Sequence, residues 1–242
     1  MCGRYAAFRE AQDLAQEFAV EDVSDDVLDR EASWNVAPTD GVRVILDRAP
    51  KEPDASLTRE MHLARWGLVP SWAKAIGGAP MFNARLETLA TKPAFAKSLG
   101  VRRCVVPADG YYEWLTHPLE AGAKKPTKTP FFIHSEDGAS LAFAGLYSWW
   151  RDASKEDDDP ARWVLSTTIV TTAARDGLEA IHDREPVVLP TASISGWLNP
   201  LLTSPDEALG LLDVPPPPLI WHEVSTRVGS VRNNDHGLIS AV

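Results

Sequence analysis

The chain has 242 residues, 44% hydrophobic and 24% charged, with a formal net charge of −10. That size and balance suit a soluble globular protein whose core needs no metal or disulfide staple. The absence of an apolar run of about 18 residues argues against a membrane span, the N-terminus lacks the order of a secretory signal, and the net negative charge argues against a uniformly nucleic-acid-binding surface.

Ala11, Leu14, Ala15 and Phe18 recur at helical spacing, which predicts an amphipathic helix over 9–19. An acidic run follows as a second short helix or a loop. Residues 42–46 and 61–66 read as strands, with a Pro-containing loop at 47–58 between them. Residues 87–99 look helical, interrupted by Pro93. Strands are expected at 102–107 and 111–115, with Pro107, Asp109 and Gly110 marking a turn between them. A surface loop at 116–129 leads to strands at 130–134, 141–147 and 162–170. A short helix at 171–180 leads to His182, and a brief strand covers 187–189. Helices near 192–199 and 204–212, an extended Pro215–Pro218 tetrad and a strand at 221–226 follow. The residues after Asp235 read as loose.

No internal repeat, regular strand–helix–strand spacing or glycine-rich phosphate loop is evident. The fold class is therefore mixed α+β around a mainly antiparallel, barrel-like sheet with short peripheral helices.

The charge is unevenly distributed. Residues 21–31 and 152–159 together hold eleven acids against two bases, which is nine of the ten net negative charges. Both runs read as solvated surface, and a local basic groove elsewhere stays compatible with the composition. The six histidines and two cysteines form no cluster at ligand spacing, so neither a metal nor a cofactor is expected. Nine tryptophans is a high number, and at least half of them are expected in the core.

Cys2 and Cys104 read as free thiols in a reducing compartment. Cys104, in the apolar RCVV segment, is expected to be structural. Cys2 follows an initiator Met that cells remove when the next residue is small. What remains is a 1,2-aminothiol, with an α-amine pKa of about 7.7–8.0 and a thiol pKa of about 8.5. The amine can condense with an aldehyde, and the adjacent thiol can close on the imine to give a five-membered thiazolidine. The same pair could attack an amide, and Cys2 could equally be a small buried hydrophobe. Asn83 in PMFNARLET, Glu113 in PADGYYEW and His182 in IHDREP supply an orienting amide, a proton shuttle and an imidazole. Arg4 lies two residues from Cys2, and Arg85 two from Asn83. Arg65, Arg103 and Arg184 also border motifs.

The segments MCGRY, NVAPT, RWGLVPSW, FNARLET, PADGYYEW, FAGLY, TTIVTTA and IHDREPVVL together resemble the SOS-response-associated peptidase family, and HEVSTRVGSVRNND extends the likeness to about residue 234. The resemblance implies one domain over 1–234 with a loose tail at 235–242. It implies binding of single-stranded DNA, including single/double-strand junctions, and covalent capture of abasic sites by a monomer that associates with the nucleoid when bound. It also implies self-processing that exposes Cys2. By residue, it makes Cys2 the nucleophile, Asn83 the group that positions it, Glu113 the general acid/base and His182 the group that assists sugar-ring opening. Arg4 and Arg85 would contact phosphates, and Pro38 and Trp66 would belong to the DNA-binding face. Glu185 and Leu86 depart from the usual pattern, and Glu185 would lie near a phosphate path. A thiol-dependent peptidase or amidase with a non-DNA substrate is the alternative.

Overall fold

A computed structural model describes residues 2–50, 56–120 and 122–242; Met1, part of the expected 47–58 loop and one residue of the 116–129 loop fall outside them. The strands are β1 (Tyr5–Ala7), β2 (Asp22–Val23), β3 (Ser33–Val36), β4 (Gly41–Arg48), β5 (Thr58–Trp66), β6 (Asn83–Arg85), β7 (Arg103–Ala108), β8 (Gly110–Thr116), β9 (Lys128–Ser135), β10 (Leu141–Arg151), β11 (Trp163–Ala173), β12 (Arg184–Pro186) and β13 (Leu219–Glu223). The helices are α1 (Ala11–Glu17), α2 (Asp25–Leu28), α3 (Pro93–Val101), α4 (Thr191–Leu198) and α5 (Pro205–Gly210).

Neighbours β11, β10, β7, β4 and β5 pair antiparallel in that order, and a parallel pairing of β5 with β11 closes them into a ring. A second, five-stranded sheet runs β13-β9-β8-β1-β3. The protein is thus α+β and mostly antiparallel, built on a small barrel. Closure suits the apolar composition of these strands, because it leaves few unpaired edges. The ring encloses and abuts a core that includes Val44, Val106, Phe143 and Ile169, all essentially inaccessible to solvent. The helices cover a second apolar cluster around Leu89, Leu99 and Trp197.

Several elements differ from the sequence reading. The strands β7 and β8 are not hairpin partners. The chain crosses at Asp109 from the barrel to the five-stranded sheet. Asp109 holds the crossing by accepting from the backbone N–H of Phe8 at 2.6 Å and from Arg9 Nε at 2.8 Å. Gly110 is required there, because a Cβ would lie 2.4 Å from the Phe132 ring and 2.7 Å from the Ile133 carbonyl oxygen. The helix expected at 171–180 is instead the end of β11 followed by a single 3-10 turn at Leu178–Ala180. The β-branched run Thr167–Thr172 favours the extended chain, which finds partners on both sides. Nor is the end of the chain loose. A 3-10 turn at His236–Ile239 buries Leu238 completely, and His222 Nε2 donates to the Ile239 carbonyl at 2.8 Å.

Only Trp66, Trp150 and Trp197 of the nine tryptophans are buried. Most of the rest are half-buried, whereas Trp72 and Trp163 are exposed. The acids of the two negative runs are exposed or half-exposed, consistent with solvated surface.

Candidate active site

Sheet pairing carries the start of the chain to Glu113. β1 lies antiparallel to β8 with Tyr5 opposite Tyr111, and the Tyr112 N–H donates to the Arg4 carbonyl at 3.0 Å. Continuing that register sets the residues before Arg4 alongside Glu113. From the barrel side, β6 pairs parallel with β11, Asn83 opposite Ile169. The Asn83 side-chain Nδ2 donates to the Cys2 carbonyl at 2.8 Å, joining the two sheets at the head of the chain. The Asn83 Oδ1 is buried and has no hydrogen-bond partner among the described residues.

His182 follows β11 on the segment that returns as β12, and its Nε2 lies 3.9 Å from Glu113 Oε2. Its Nδ1 accepts the Arg184 backbone N–H at 3.0 Å and lies 3.0 Å from the exposed Asp183 carboxylate. Cys2, Asn83, Glu113 and His182, far apart in sequence, thus meet where the two sheets abut.

Electrostatics follow burial. Glu113 is 4% exposed, and desolvation pushes its carboxyl up to about 7, with the Asp183 charge adding to the rise and the Trp114 backbone N–H opposing it. Desolvation holds His182 below its ordinary value, with Lys128 acting in the same direction and Asp183 opposing. Cys2 is fully buried. Desolvation, then the Glu113 charge, pushes its thiol far above the usual range, against a hydrogen bond from the Arg4 backbone N–H. As it stands, the sulfur is covered and protonated, which is how a small buried hydrophobe also behaves. Cys104 is a second buried free thiol in the barrel wall, 3.4 Å from Thr167 Oγ1.

The expected DNA-facing residues divide. Arg85 is exposed and makes no ion pair among the described residues, and Pro38 is half-buried in the turn between β3 and β4. Arg4 is only partly accessible. Its Nη1 donates to Asn35 Oδ1 and to the Val228 carbonyl, both at 2.9 Å, so it also anchors the C-terminal segment. Trp66 does not face outward. It is fully buried, its indole N–H is given to the Phe82 carbonyl at 2.9 Å, and its ring packs edge-on against Tyr5. A ring so enclosed offers no face to a base. Arg103 is buried as well, donating to the Trp197, Leu99 and Asn199 carbonyls. Glu185 is 4% exposed and paired with Arg175 Nε at 2.9 Å, so it lies inside rather than on a phosphate path. Leu86 is partly buried against the helix-covered core.

Sequence reasoning passed over the placement of Trp72. Between Gly67 and Met81 the chain leaves the barrel and encloses an open cavity of about 390 Å³, lined by Arg65, Leu68, Trp72, Ile76, Pro80 and Met81 among others. Gly67 makes the departure with φ +131°, a conformation that side chains disfavour. Trp72 is 69% exposed, and the wall ends two residues before Asn83. The available signal was the Pro70-Ser-Trp-Ala stretch between Pro and Gly-Gly punctuation, which reads as an exposed loop.

A family model described as SOS response associated peptidase matches residues 1–231. The chain belongs to the SOS response associated peptidase family. It is 36% identical to the abasic site processing protein YoqW of Bacillus subtilis and 34% identical to the abasic site processing protein YedK of Escherichia coli, each alignment covering both chains completely. It is 32% identical to the abasic site processing protein HMCES of Rattus norvegicus over 84% of this chain and 63% of that protein. A crystal structure of a protein from Bacteroides thetaiotaomicron superposes with a TM-score of 0.78 at 23% identity over both full chains, and one from Bordetella bronchiseptica with 0.71 at 24% identity over 93% of this chain and all of that one. These two show the shared fold. Among the described residues no helix is long and apolar enough to cross a membrane, and no group of three or more metal-ligating side chains is found.

Proposed function

We propose that this family member processes abasic sites in DNA, as the names of YoqW, YedK and HMCES indicate for those proteins, and that it does so by covalent capture. After removal of Met1, autoproteolytic in this reading, the Cys2 amine attacks the aldehyde of a ring-opened deoxyribose. Water leaves the carbinolamine to give an imine. The Cys2 sulfur then adds to the imine carbon, the nitrogen takes up a proton, and a thiazolidine closes. His182 protonates the sugar-ring oxygen during opening. Glu113, buried and titrating near neutrality, alternates as acid and base in dehydration and takes the thiol proton at closure.

The observation that carries the reading is the Asn83 hydrogen bond to the Cys2 carbonyl beside Glu113 and His182. An amide held on the backbone of residue 2 orients a reactive chain terminus, which is not a requirement of ordinary core packing. The high thiol pKa fits this order of events better than an amidase acting through a ready thiolate. The amine reacts first, and the thiol ionises only at ring closure. Single-stranded DNA is the substrate form favoured here. Trp72 replaces Trp66 as the ring on which a base stacks, and Arg85, one arm of Arg4 and the exposed Lys124, Lys125 and Lys128 of the β8–β9 hairpin take phosphates.

The test is intact mass and a denaturing gel after mixing the protein with an abasic oligonucleotide. The expected result is a protein lacking Met1 that forms a heat-stable one-to-one adduct without borohydride. Active protein that retains Met1, or the absence of an adduct, overturns the reading.

A further inference from the structure

Two arginines flank the site on neighbouring rungs of β11, and they are used differently. Arg85 stands opposite Thr171 in the parallel β6 pairing, while the β12 pairing sets Pro186 opposite Thr171 and Arg184 opposite Ala173. Arg85 is exposed, whereas the Arg184 side chain is 12% exposed and its guanidinium is committed. Nη1 and Nη2 grip the two oxygens of Glu87 at 2.5 and 3.0 Å, and Nη2 also donates to the Thr171 carbonyl at 2.7 Å. Glu87 lies in the 3-10 turn that directly follows the strand of Asn83. The same Arg184 gives its backbone N–H to His182 Nδ1 at 3.0 Å.

A neutral imidazole that accepts at Nδ1 carries its hydrogen on Nε2, the nitrogen turned toward Glu113. The placement of that backbone N–H depends on the guanidinium, which is fastened to β11 and to the turn after β6. A planar fork on a carboxylate fixes direction as well as distance, which a lysine would not do.

We propose that Arg184, anchored by Glu87, is a positioning residue that ties the Asn83 strand to the His182 segment and holds His182 with its Nε2–H toward Glu113. This rests on the covalent-capture reading for its consequence in catalysis, but not for its geometry. Arg184 touches no reacting atom. Its side chain keeps two reacting groups in register, and displacement of about 1 Å at such a site costs on the order of 10²-fold in rate.

The experiment compares wild type with Arg184→Ala, Glu87→Gln and Glu87→Asp, using protein lacking Met1. Nitrogen-15 NMR of the His182 ring reports the tautomer without DNA. A denaturing-gel time course with abasic oligonucleotide reports rate, and the salt slope of binding to intact single-stranded oligonucleotide reports phosphate contacts. In wild type a single Nε2–H tautomer is expected. Arg184→Ala and Glu87→Gln should give a mixture and a rate lower by 10- to 100-fold, with the salt slope unchanged, and Glu87→Asp should recover most of both. Folded Arg184→Ala with the wild-type tautomer and rate overturns the proposal. So does a salt slope reduced as much as in Arg85→Ala, since Arg184 would then be a phosphate ligand. Failure of wild type to crosslink would count against covalent capture while leaving the tautomer comparison decisive for Arg184.

Discussion

The Asn83 side chain donates to the backbone carbonyl of Cys2 across 2.8 Å, so the second residue of the chain is held by a strand eighty-one positions later. Asn83→Ala should remove that restraint. Crosslinking to an abasic oligonucleotide is expected to slow by about 10²-fold, the scale of a lost orienting group, while affinity for intact oligonucleotide changes little. Asn83→Asp should be at least as slow, because a carboxylate cannot donate to the carbonyl and adds charge beside Glu113. A wild-type rate in either variant would detach Asn83 from the chemistry.

Cys2→Ala and Cys2→Ser keep the terminal amine and lose the sulfur. Both are expected to give an imine that borohydride traps, but no heat-stable adduct without it. Parallel gels with and without borohydride make the measurement. A stable adduct formed by Cys2→Ala at the wild-type rate would exclude a thiazolidine.

Glu113 supplies a pH prediction. Its carboxyl titrates near 7 in the fold against an ordinary 4.5, the displacement coming first from burial. As pH rises past 4.5 the unfolded chain gives up this proton while the folded one retains it. The contribution of Glu113 to stability is therefore fullest below 4.5 and is lost as pH rises through 7, a total of roughly 3 kcal/mol. Glu113→Gln, which cannot ionise, should gain stability relative to wild type between pH 5 and pH 8 in urea unfolding. The same variant should lose the inflection near pH 7 in the crosslinking rate and react 10²- to 10⁴-fold more slowly.

The two tryptophans of the RWGLVPSW segment should separate cleanly. Trp72→Ala removes an exposed ring, so melting temperature should hold while affinity for single-stranded DNA falls by about 1–3 kcal/mol, the worth of one stacked base. Trp66→Ala empties a core position and should cost about 3–5 kcal/mol of stability. Equal effects on binding with equal stability would contradict the assignment.

Arg85→Ala should reduce the salt dependence of DNA binding by about one phosphate contact without altering stability. Arg4→Ala should do both, because Arg4 Nη1 also holds Asn35 and the Val228 carbonyl. Salt titrations paired with thermal melts distinguish the two. A melt unchanged by Arg4→Ala would mean that its contacts with Asn35 and Val228 contribute nothing to the fold.

The sequence by itself was enough for the fold class, for most long strands and for the residue types of the site. Those features are local: alternating apolar residues in 42–46 and 141–147, helical spacing in 9–19, and motifs whose order is written along the chain. Short strands such as Tyr5–Ala7 and Asn83–Arg85 were not legible, because three residues carry no usable period and are extended only through their pairing with β8 and β11. The helix expected at 171–180 failed for the same reason: its conformation was decided by partners on both edges of β11. Burial was likewise a tertiary outcome. Trp66 and Trp72 share one motif, yet Gly67 turns the chain out of the barrel between them, leaving one ring enclosed and the other in solvent. Nothing local tells Arg184 from Arg85, since a guanidinium next to a motif has the same chemistry in either place. Only the fold sets Glu87 against one and open solvent against the other, because ion-pair geometry depends on strands that meet from opposite ends of the sequence.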